Sequence, residues 1–361
     1  MHLPRDATQG RAATKRSCMT NATYCLPRPD EVRCVRTISI RENLSAPMIQ
    51  PVLSIGVLPF SDTVALTRCL DALHAQKSVG KLEILVPFSA GAADIAGLAE
   101  HYPETIFIPV PGARTPAELR ARAVAIASAE IVALIEDHCV PNHDWCTRIL
   151  AAHSKHSEPF AGVGGAVEKG LPAHGRNDTA LNWAVYMTDY SRYMNPLTDG
   201  PIAEISDTNS SYKKRELVEI LSVWKAEFHE NVVNEALRQR GRLLWFAPDV
   251  IVNEQRSLTL RAALRDRYAF GRLFASTRVD YSTTGRRIVL AAASCAMPPV
   301  LVLRVARTLL QRRKHRAQFV RSLPQLLLVT SAWMAGEMMG YLTARPENSL
   351  AAGLRENGLE A

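Results

Sequence analysis

Between residues 52 and 135 the chain alternates short apolar runs with stretches of helical spacing, and no other feature constrains its fold as strongly. Val52-Leu53-Ser54-Ile55-Gly56-Val57-Leu58 is an apolar run closed by Pro59, and Leu82-Glu83-Ile84-Leu85-Val86 is a second, closed by Pro87. Ile106-Phe107-Ile108-Pro109 and Ile131-Val132-Ala133-Leu134-Ile135 are a third and a fourth. Between them, residues 64–76 place Leu66, Cys69, Leu70 and Leu73 three and four positions apart. Residues 92–101 read as helix, and 116–129 as an Ala- and Arg-rich helix. Apolar runs bounded by turn residues mark strands buried on both faces. Their alternation with helices predicts an α/β fold with a doubly wound, mostly parallel, Rossmann-like sheet. Ligands of such sheets sit beyond the C-terminal ends of the strands.

The rest of the chain divides by pattern. Residues 1–47 are rich in Arg, Thr, Pro and Asn without periodicity, which predicts a disordered leader. The first strand follows soon after Met48, so a true translation start there is an alternative. From 160 to 275 the pattern is mixed. Gly162-Val163-Gly164-Gly165 reads as tightly packed backbone and 207–217 as a polar loop running into a helix. Residues 230–240 read as a helix ended by Gly241, and 243–252 as a strand broken by Pro248. The expected organisation is a leader over 1–47, an α/β domain over 48–275, a helical membrane-docking region over 276–345 and a flexible tail over 346–361.

Two apolar blocks near the C-terminus carry the membrane expectation. Residues 288–303 have no charge but contain Pro298-Pro299, and 323–342 contain Glu337 as their one charge. Arg304, Arg307, Arg312, Arg313, Lys314, Arg316 and Arg321 lie between or beside them. Each block approaches the roughly 20 residues needed to span a bilayer. Two spans would put this basic linker on the face opposite the α/β domain, against the positive-inside rule. The expectation is therefore monotopic docking, with helices in the interface and Arg/Lys on anionic head groups. A single span through 323–342 and a buried helical hairpin are the alternatives.

Net charge is +8 and the pI near 9.2. That balance suits anionic membranes, nucleotide phosphates or nucleic acid. With no RNP-like aromatic motif and no zinc-finger spacing, nucleic acid is not an expected partner. Seven cysteines, at 18, 25, 34, 69, 139, 146 and 295, lack framework spacing and read as scattered thiols of a reducing compartment. No basic-then-apolar-then-small order marks a signal peptide.

The chemistry concentrates in residues 131–145, IVALIEDHCVPNHDW, where an apolar strand delivers Glu136-Asp137-His138 to its C-terminal end. By themselves these residues could cap the following turn. Together with the surrounding segments the motif resembles the family-2 glycosyltransferases of the GT-A fold, over about 220 residues from Val52 to Arg272. The resemblance implies a nucleotide-sugar donor, with Pro59, Arg120, Glu136 and Asp137 beside it. It also implies a divalent cation, Mn²⁺ or Mg²⁺, on Asp137 and His138 to neutralise the donor's diphosphate. A histidine in that motif favours manganese.

Aligning WKAEFHENVVNEALRQRG on Leu237 and Gly241 puts Glu230 at the family's general base, with Glu227 as the fallback. Asp207-Thr208-Asn209-Ser210-Ser211-Tyr212-Lys213-Lys214-Arg215 is similar to a segment facing donor sugar and acceptor, with Asn209 the implied contact. The second strand ends in Pro87-Phe88-Ser89, where the family usually has aspartates, and Asn253 stands where it has a metal-contacting histidine. Trp183, Tyr186, Tyr190 and Tyr193 would line a sugar site or, at that spacing, form helix core. The implied function is inverting transfer of a sugar to a lipid-linked or polysaccharide acceptor. The implied location is the cytoplasmic face of a membrane, the inner membrane in a bacterium. A non-catalytic membrane-bound nucleotide- or sugar-binding protein is the alternative.

Overall fold

The computed structural model describes residues 50–344, apart from 77–78, 90–91, 114, 156–159, 171–178, 277 and 280–281. The expectations for 1–47 and 346–361 lie outside the described residues. From Gln50 onward the chain forms one compact unit.

The predicted parallel half is present. Strands β1 (Leu53–Leu58), β2 (Leu82–Ser89), β3 (Thr105–Val110) and β4 (Ile131–Glu136) pair in parallel in the order β3-β2-β1-β4. All six residues of β1 are buried, and each large apolar side chain so buried stabilises by about 1.5–3 kcal/mol. Helix α1 (Thr63–His74) is capped by the Asp62 carboxylate, which accepts from the Ala65 amide. It turns the predicted Leu66, Cys69, Leu70 and Leu73 inward. After the short α2 (Ala93–Gly97) comes α3 (Pro116–Ile126). It opens on a capping box between Thr115 and Glu118, with Pro116 pre-set for a first turn. Pro87 does not end β2 as expected. The ladder to β1 stops at Gly56–Leu85, while Pro87 pairs onward with Ile108 of β3, so its missing N–H falls beyond the doubly paired part of the strand.

The sheet then changes direction. A short β5 (Cys139–Pro141) follows the acidic turn, and α4 (Trp145–Lys155) leads to β6 (Phe160–Lys169). Helix α5 (Ala180–Tyr190) and β7 (Gly200–Ile202) precede β8 (Asn209–Lys213). Helices α6 (Lys214–Glu219), α7 (Leu221–Trp224) and α8 (Glu230–Gln239) lead to β9 (Leu243–Glu254). Among the described residues the strands make one nine-stranded sheet, β3-β2-β1-β4-β8-β6-β9-β5 with β7 on β9; β8 is antiparallel to both β4 and β6.

Two sequence expectations are corrected here. The stretch read as a polar loop is β8, a central strand. Most of its polar side chains find distant partners: Ser211 Oγ lies 2.9 Å from His153 Nε2, and Tyr212 donates to Asn234 at 2.9 Å. The Pro248 break is a register shift between β6 and β9, not an end: Gly165 pairs Ala247 and the next residue, Ala166, pairs Ile251. The glycines of β6 are required by crowding, since a Cβ on Gly165 would lie 2.0 Å from the Val250 carbonyl. Helix α8 and its Gly241 stop match the expectation, with Gly241 at φ +75°. Trp183, Tyr186, Tyr190 and Tyr193 are core.

The C-terminal helices do not form a separate body. Helix α9 (Leu260–Ser276) leads to α10 (Thr284–Ala293), α11 (Met297–Arg312) and α12 (Arg316–Thr343). Helix α12 lies along α9 and α5. Its contact with α9 depends on glycine: a Cβ on Gly336 would sit 1.9 Å from the Tyr268 carbonyl, and one on Gly271 2.2 Å from that of Trp333. Block 323–342 thus buries Leu326, Val329, Thr330 and Gly340 within the protein, while Leu327 and Leu328 remain exposed. Among the described residues the one stretch long and apolar enough to cross a membrane is Thr284–Arg312, built from α10 and α11. This reverses the expected ranking of the two blocks. Pro298 and Pro299 do not interrupt it, because they occupy the first turn of α11, where a missing N–H costs nothing. The four described cysteines, Cys69, Cys139, Cys146 and Cys295, are free.

Candidate functional site

The sheet's switch point lies between β1 and β4, whose register sets Leu58 beside Glu136. One residue further, the two chains lock together. The Asp137 amide donates to the Leu58 carbonyl at 2.9 Å, and Asp137 Oδ2 accepts from the amides of Phe60 and Ser61 at 2.8 and 2.7 Å. Asp137 therefore shapes the loop that carries Pro59. Pro59 lines a narrow cleft with Ser89, Ala92, Ile95, Ala113, Thr115 and Leu119 that opens partly to solvent. Its walls are mostly apolar, with the hydroxyls of Ser89 and Thr115 as side-chain hydrogen-bonding groups and no carboxylate.

Beside this cleft lies a dense charge cluster. Arg120, on α3 next to Leu119, pairs with Glu136 and with Asp207, the latter at 2.8 Å. Arg120 and Glu136 are buried, while Asp207 keeps 29% of its side chain exposed. The entry to α8 is tied to the same helix: the Phe228 amide donates to the Ala117 carbonyl at 2.9 Å, and Thr115 Oγ1 donates to Glu227 at 3.2 Å. That brings Glu230 into electrostatic reach of Asp207 and Arg120. Burial, then Asp207, push the Glu230 carboxyl above its ordinary range, and Arg120 partly offsets this. Burial and Asp207 likewise push Glu136 up, to about 8, against the pull of Arg120 and Arg256. Burial pushes Asp137 to about 7 despite its two backbone donors.

His138 is buried and held neutral, since burial and the nearby Arg256 hold its imidazolium form well below the usual range. Its Nε2 lies 2.8 Å from Arg256 Nη2 and 3.1 Å from the Tyr190 hydroxyl. A guanidinium can only donate, so Nε2 is the acceptor and Nδ1 carries the proton.

The cation expected from the sequence does not fit these residues as they are paired. Mn²⁺ and Mg²⁺ need several free oxygen or nitrogen lone pairs. Asp137 Oδ2 serves two amides, Glu136 is paired with Arg120, and His138 has no lone pair left. Asp137 Oδ1, buried without a hydrogen-bond partner, and Glu136 Oε2, 3.8 Å from the Arg256 guanidinium, are the acceptors left, fewer than either cation needs. Among the described residues no three His, Cys, Asp or Glu groups come together as a metal site.

Of the sequence candidates, Pro59, Arg120, Glu136, Asp137, His138 and Glu230 converge on this corner. Asn209 does not. It is buried, with its Oδ1 accepting from Trp145 at 2.9 Å and its Nδ2 donating to the carbonyls of Ala166 and Val250, both at 2.9 Å. Those bonds join β8 to β6 and β9, so its polar atoms serve the sheet and not a sugar. Arg120 is likewise committed to carboxylates. Sequence reasoning gave no role to Asp207, although it begins the stretch singled out for Asn209. It also missed Arg256, and it read Tyr190 as sugar-site lining or helix core and not as a partner of His138; both stand far from Glu136 in the chain.

No family model matches this chain, and no curated protein does. Among solved structures it is similar to the mannosyltransferase PcManGT from Pyrobaculum calidifontis, in complex with GDP-Man and Mn²⁺. The TM-score is 0.47 and the identity 15%, over 80% of this chain and 88% of that one. It is also similar to S. aureus TarS 1–349, with a TM-score of 0.43 and 12% identity over 84% of this chain and 91% of that one.

Proposed function

We propose that this protein transfers a sugar, with inversion, from a nucleotide-sugar donor to a lipid-linked or polysaccharide acceptor. One observation carries the reading: a mostly apolar cleft beyond the C-terminal ends of the parallel strands abuts a buried carboxylate–guanidinium cluster, with Glu230 at its edge. In this reading the nucleoside lies against the mouth of the cleft between Pro59 and Leu119, and the diphosphate lies toward the cluster. Glu230, held above the ordinary carboxylate range, takes the acceptor hydroxyl's proton as that oxygen attacks the anomeric carbon. The bond from that carbon to the diphosphate oxygen breaks on the opposite face, and the nucleoside diphosphate leaves with its electron pair. A base of raised pKa combines readiness at neutral pH with the strength to accept that proton.

The test is nucleotide release from a panel of nucleotide sugars, with and without membrane lipid extract, by wild type and an Asp137→Ala variant. Turnover of one donor, abolished in the variant, is the expected result. If folded protein releases nucleotide from no donor, with lipid extract added, the reading gives way to a non-catalytic binding protein.

The acceptor reading rests on the C-terminal helices, for which we propose docking on the cytoplasmic face of an anionic bilayer. Along α10 and α11, Val289, Val300, Leu303 and Leu310 are exposed, spaced so that they share one side. In the most apolar 18-residue window, which has a mean hydropathy of 2.0, only 22% of residues are buried. An apolar surface of this kind without a protein partner is expected to meet another apolar phase. Of the basic residues nearby, Arg312 is committed to the carbonyls of Ser191, Arg192 and Met194, and Lys314 to Glu168. Arg304, Arg307, Arg313, Arg316 and Arg321 remain exposed for head groups. Sedimentation with vesicles of phosphatidylcholine and phosphatidylglycerol is expected to carry down the wild type. Leu303→Glu with Leu310→Glu should leave most protein in the supernatant. Equal sedimentation of wild type and variant would sink the docking reading.

A further inference from the structure

We infer that Arg256 supplies the positive charge that would otherwise come from a divalent cation, so that the cluster binds a nucleoside diphosphate without metal. This rests on the transferase reading above, and concerns how that site neutralises its ligand.

A diphosphate brought among Glu136, Asp137, Asp207 and Glu230 adds its own negative charge to a site already rich in carboxyl groups, so countercharge is required. Arg256 is built into position to provide it. The residue follows β9, and its own amide donates to Glu254 Oε1 at 3.0 Å. Glu254 is itself buried and paired with Lys169 at 2.6 Å. The preceding amide, of Gln255, donates to the His138 carbonyl at 2.8 Å, and Gln255 Oε1 accepts from Arg68 at 3.1 Å. This backbone returns the guanidinium onto the motif, 2.8 Å from His138 Nε2 and 3.8 Å from Glu136 Oε2, with Asp189 3.7 Å away on its other side.

The consequence for a metal is direct. Arg256 takes the imidazole lone pair that a cation would use, and places a full charge beside the Glu136 carboxylate. The consequence for a phosphate is the opposite. Arg256 keeps 16% of its side chain exposed, against 6% for Arg120, so of the two cations it is the one a ligand can reach. A guanidinium has five donors in a planar fork suited to two phosphate oxygens at once. In the free protein few of these donors have partners at hydrogen-bonding distance, and all of those partners are neutral: His138 and Tyr190.

The test is calorimetric titration of the full chain with UDP, GDP, ADP and dTDP, in EDTA and in Mn²⁺, alongside Mn²⁺ titration followed by paramagnetic resonance. Wild type is expected to bind at least one of them with Kd within about threefold in the two buffers, and to hold no Mn²⁺ by itself. Arg256→Ala should weaken that binding in EDTA by about 10- to 100-fold, as for a lost charge-assisted hydrogen bond. The same variant should now take up Mn²⁺ on the freed imidazole beside Asp137 Oδ1 and Glu136 Oε2, which have no hydrogen-bond donor. Arg256→Lys, which keeps the charge but not the fork, should fall between and guards against misfolding of the alanine variant. Wild-type binding that is more than about tenfold tighter in Mn²⁺ than in EDTA overturns the inference while leaving the transferase reading in place. Undiminished binding by Arg256→Ala in EDTA does the same. Failure of every nucleotide to bind in either buffer overturns both.

Discussion

Glu230→Gln is expected to cut nucleotide-sugar turnover by about 10²- to 10⁴-fold, the usual contribution of a general base. Binding of the nucleoside diphosphate should stay within about twofold, because the loss is of a group used in the transition state. The substitution is nearly isosteric and keeps the first turn of α8, so a change in fold is not expected to intervene. The structure also supplies the control. Glu227 stands three residues earlier and is bonded to Thr115 and His229. Glu227→Gln should cost far less if Glu230 is the base, since its role is then to hold the α3–α8 junction. The acid limb of the pH–rate profile should lie well above the ordinary carboxylate range in wild type, following the upward push on Glu230, and disappear in the Gln variant. Equal losses in the two variants, or an acid limb that survives in Glu230→Gln, would move the base elsewhere.

Arg120→Ala is expected to destabilise the fold by about 3–5 kcal/mol, the cost of leaving a buried ion pair half broken. The reason is geometric. Glu136 is 4% exposed and Arg120 5%, so water does not readily replace the lost partner, and Arg256, 3.8 Å from Glu136 Oε2, stands outside hydrogen-bonding reach. Asp207 loses its bond at the same time. Urea unfolding of the single variant and of Arg120→Met/Glu136→Met separates the two contributions. The double variant removes both charges and should recover much of the loss, because the paired charges themselves contribute little net stability. A loss below about 1 kcal/mol in Arg120→Ala would place the pair with solvent-exposed bridges and remove the case for a dry cluster.

How much of this could be read in the chain depends on the range of the interaction. The four parallel strands, α1, α3 and α8 were legible, because apolar runs, helical spacing and caps such as Asp62 and Thr115 are signals within about a dozen residues. The corner holding Pro59, Glu136 and Asp137 was legible for the same reason, given that ligands of such sheets gather at strand ends. Strand β8 was not. Asn209-Ser210-Ser211-Tyr212 has the composition of a loop, and it is a central strand because Trp145, His153 and Asn234 bond the side chains of Asn209, Ser211 and Tyr212 from elsewhere in the fold. Trp145 and the carbonyls of Ala166 and Val250 take Asn209 away from any ligand. The C-terminal blocks were legible as apolar but not in their ranking. Gly271, Gly336 and Gly340 become meaningful only when two helices meet backbone to backbone.

The sequence alone therefore determined an α/β sheet with its acidic turn at the end of the fourth strand, since hydrophobic periodicity and turn chemistry act locally. Only the tertiary structure decided what that turn is bonded to. Arg256 and Tyr190 reach His138 across long stretches of chain, and Arg120 joins Glu136 to Asp207. Whether a carboxylate or an imidazole keeps a lone pair for a cation depends on which donors the fold brings within about 3 Å, the reach of a hydrogen bond. No spacing in the chain encodes that.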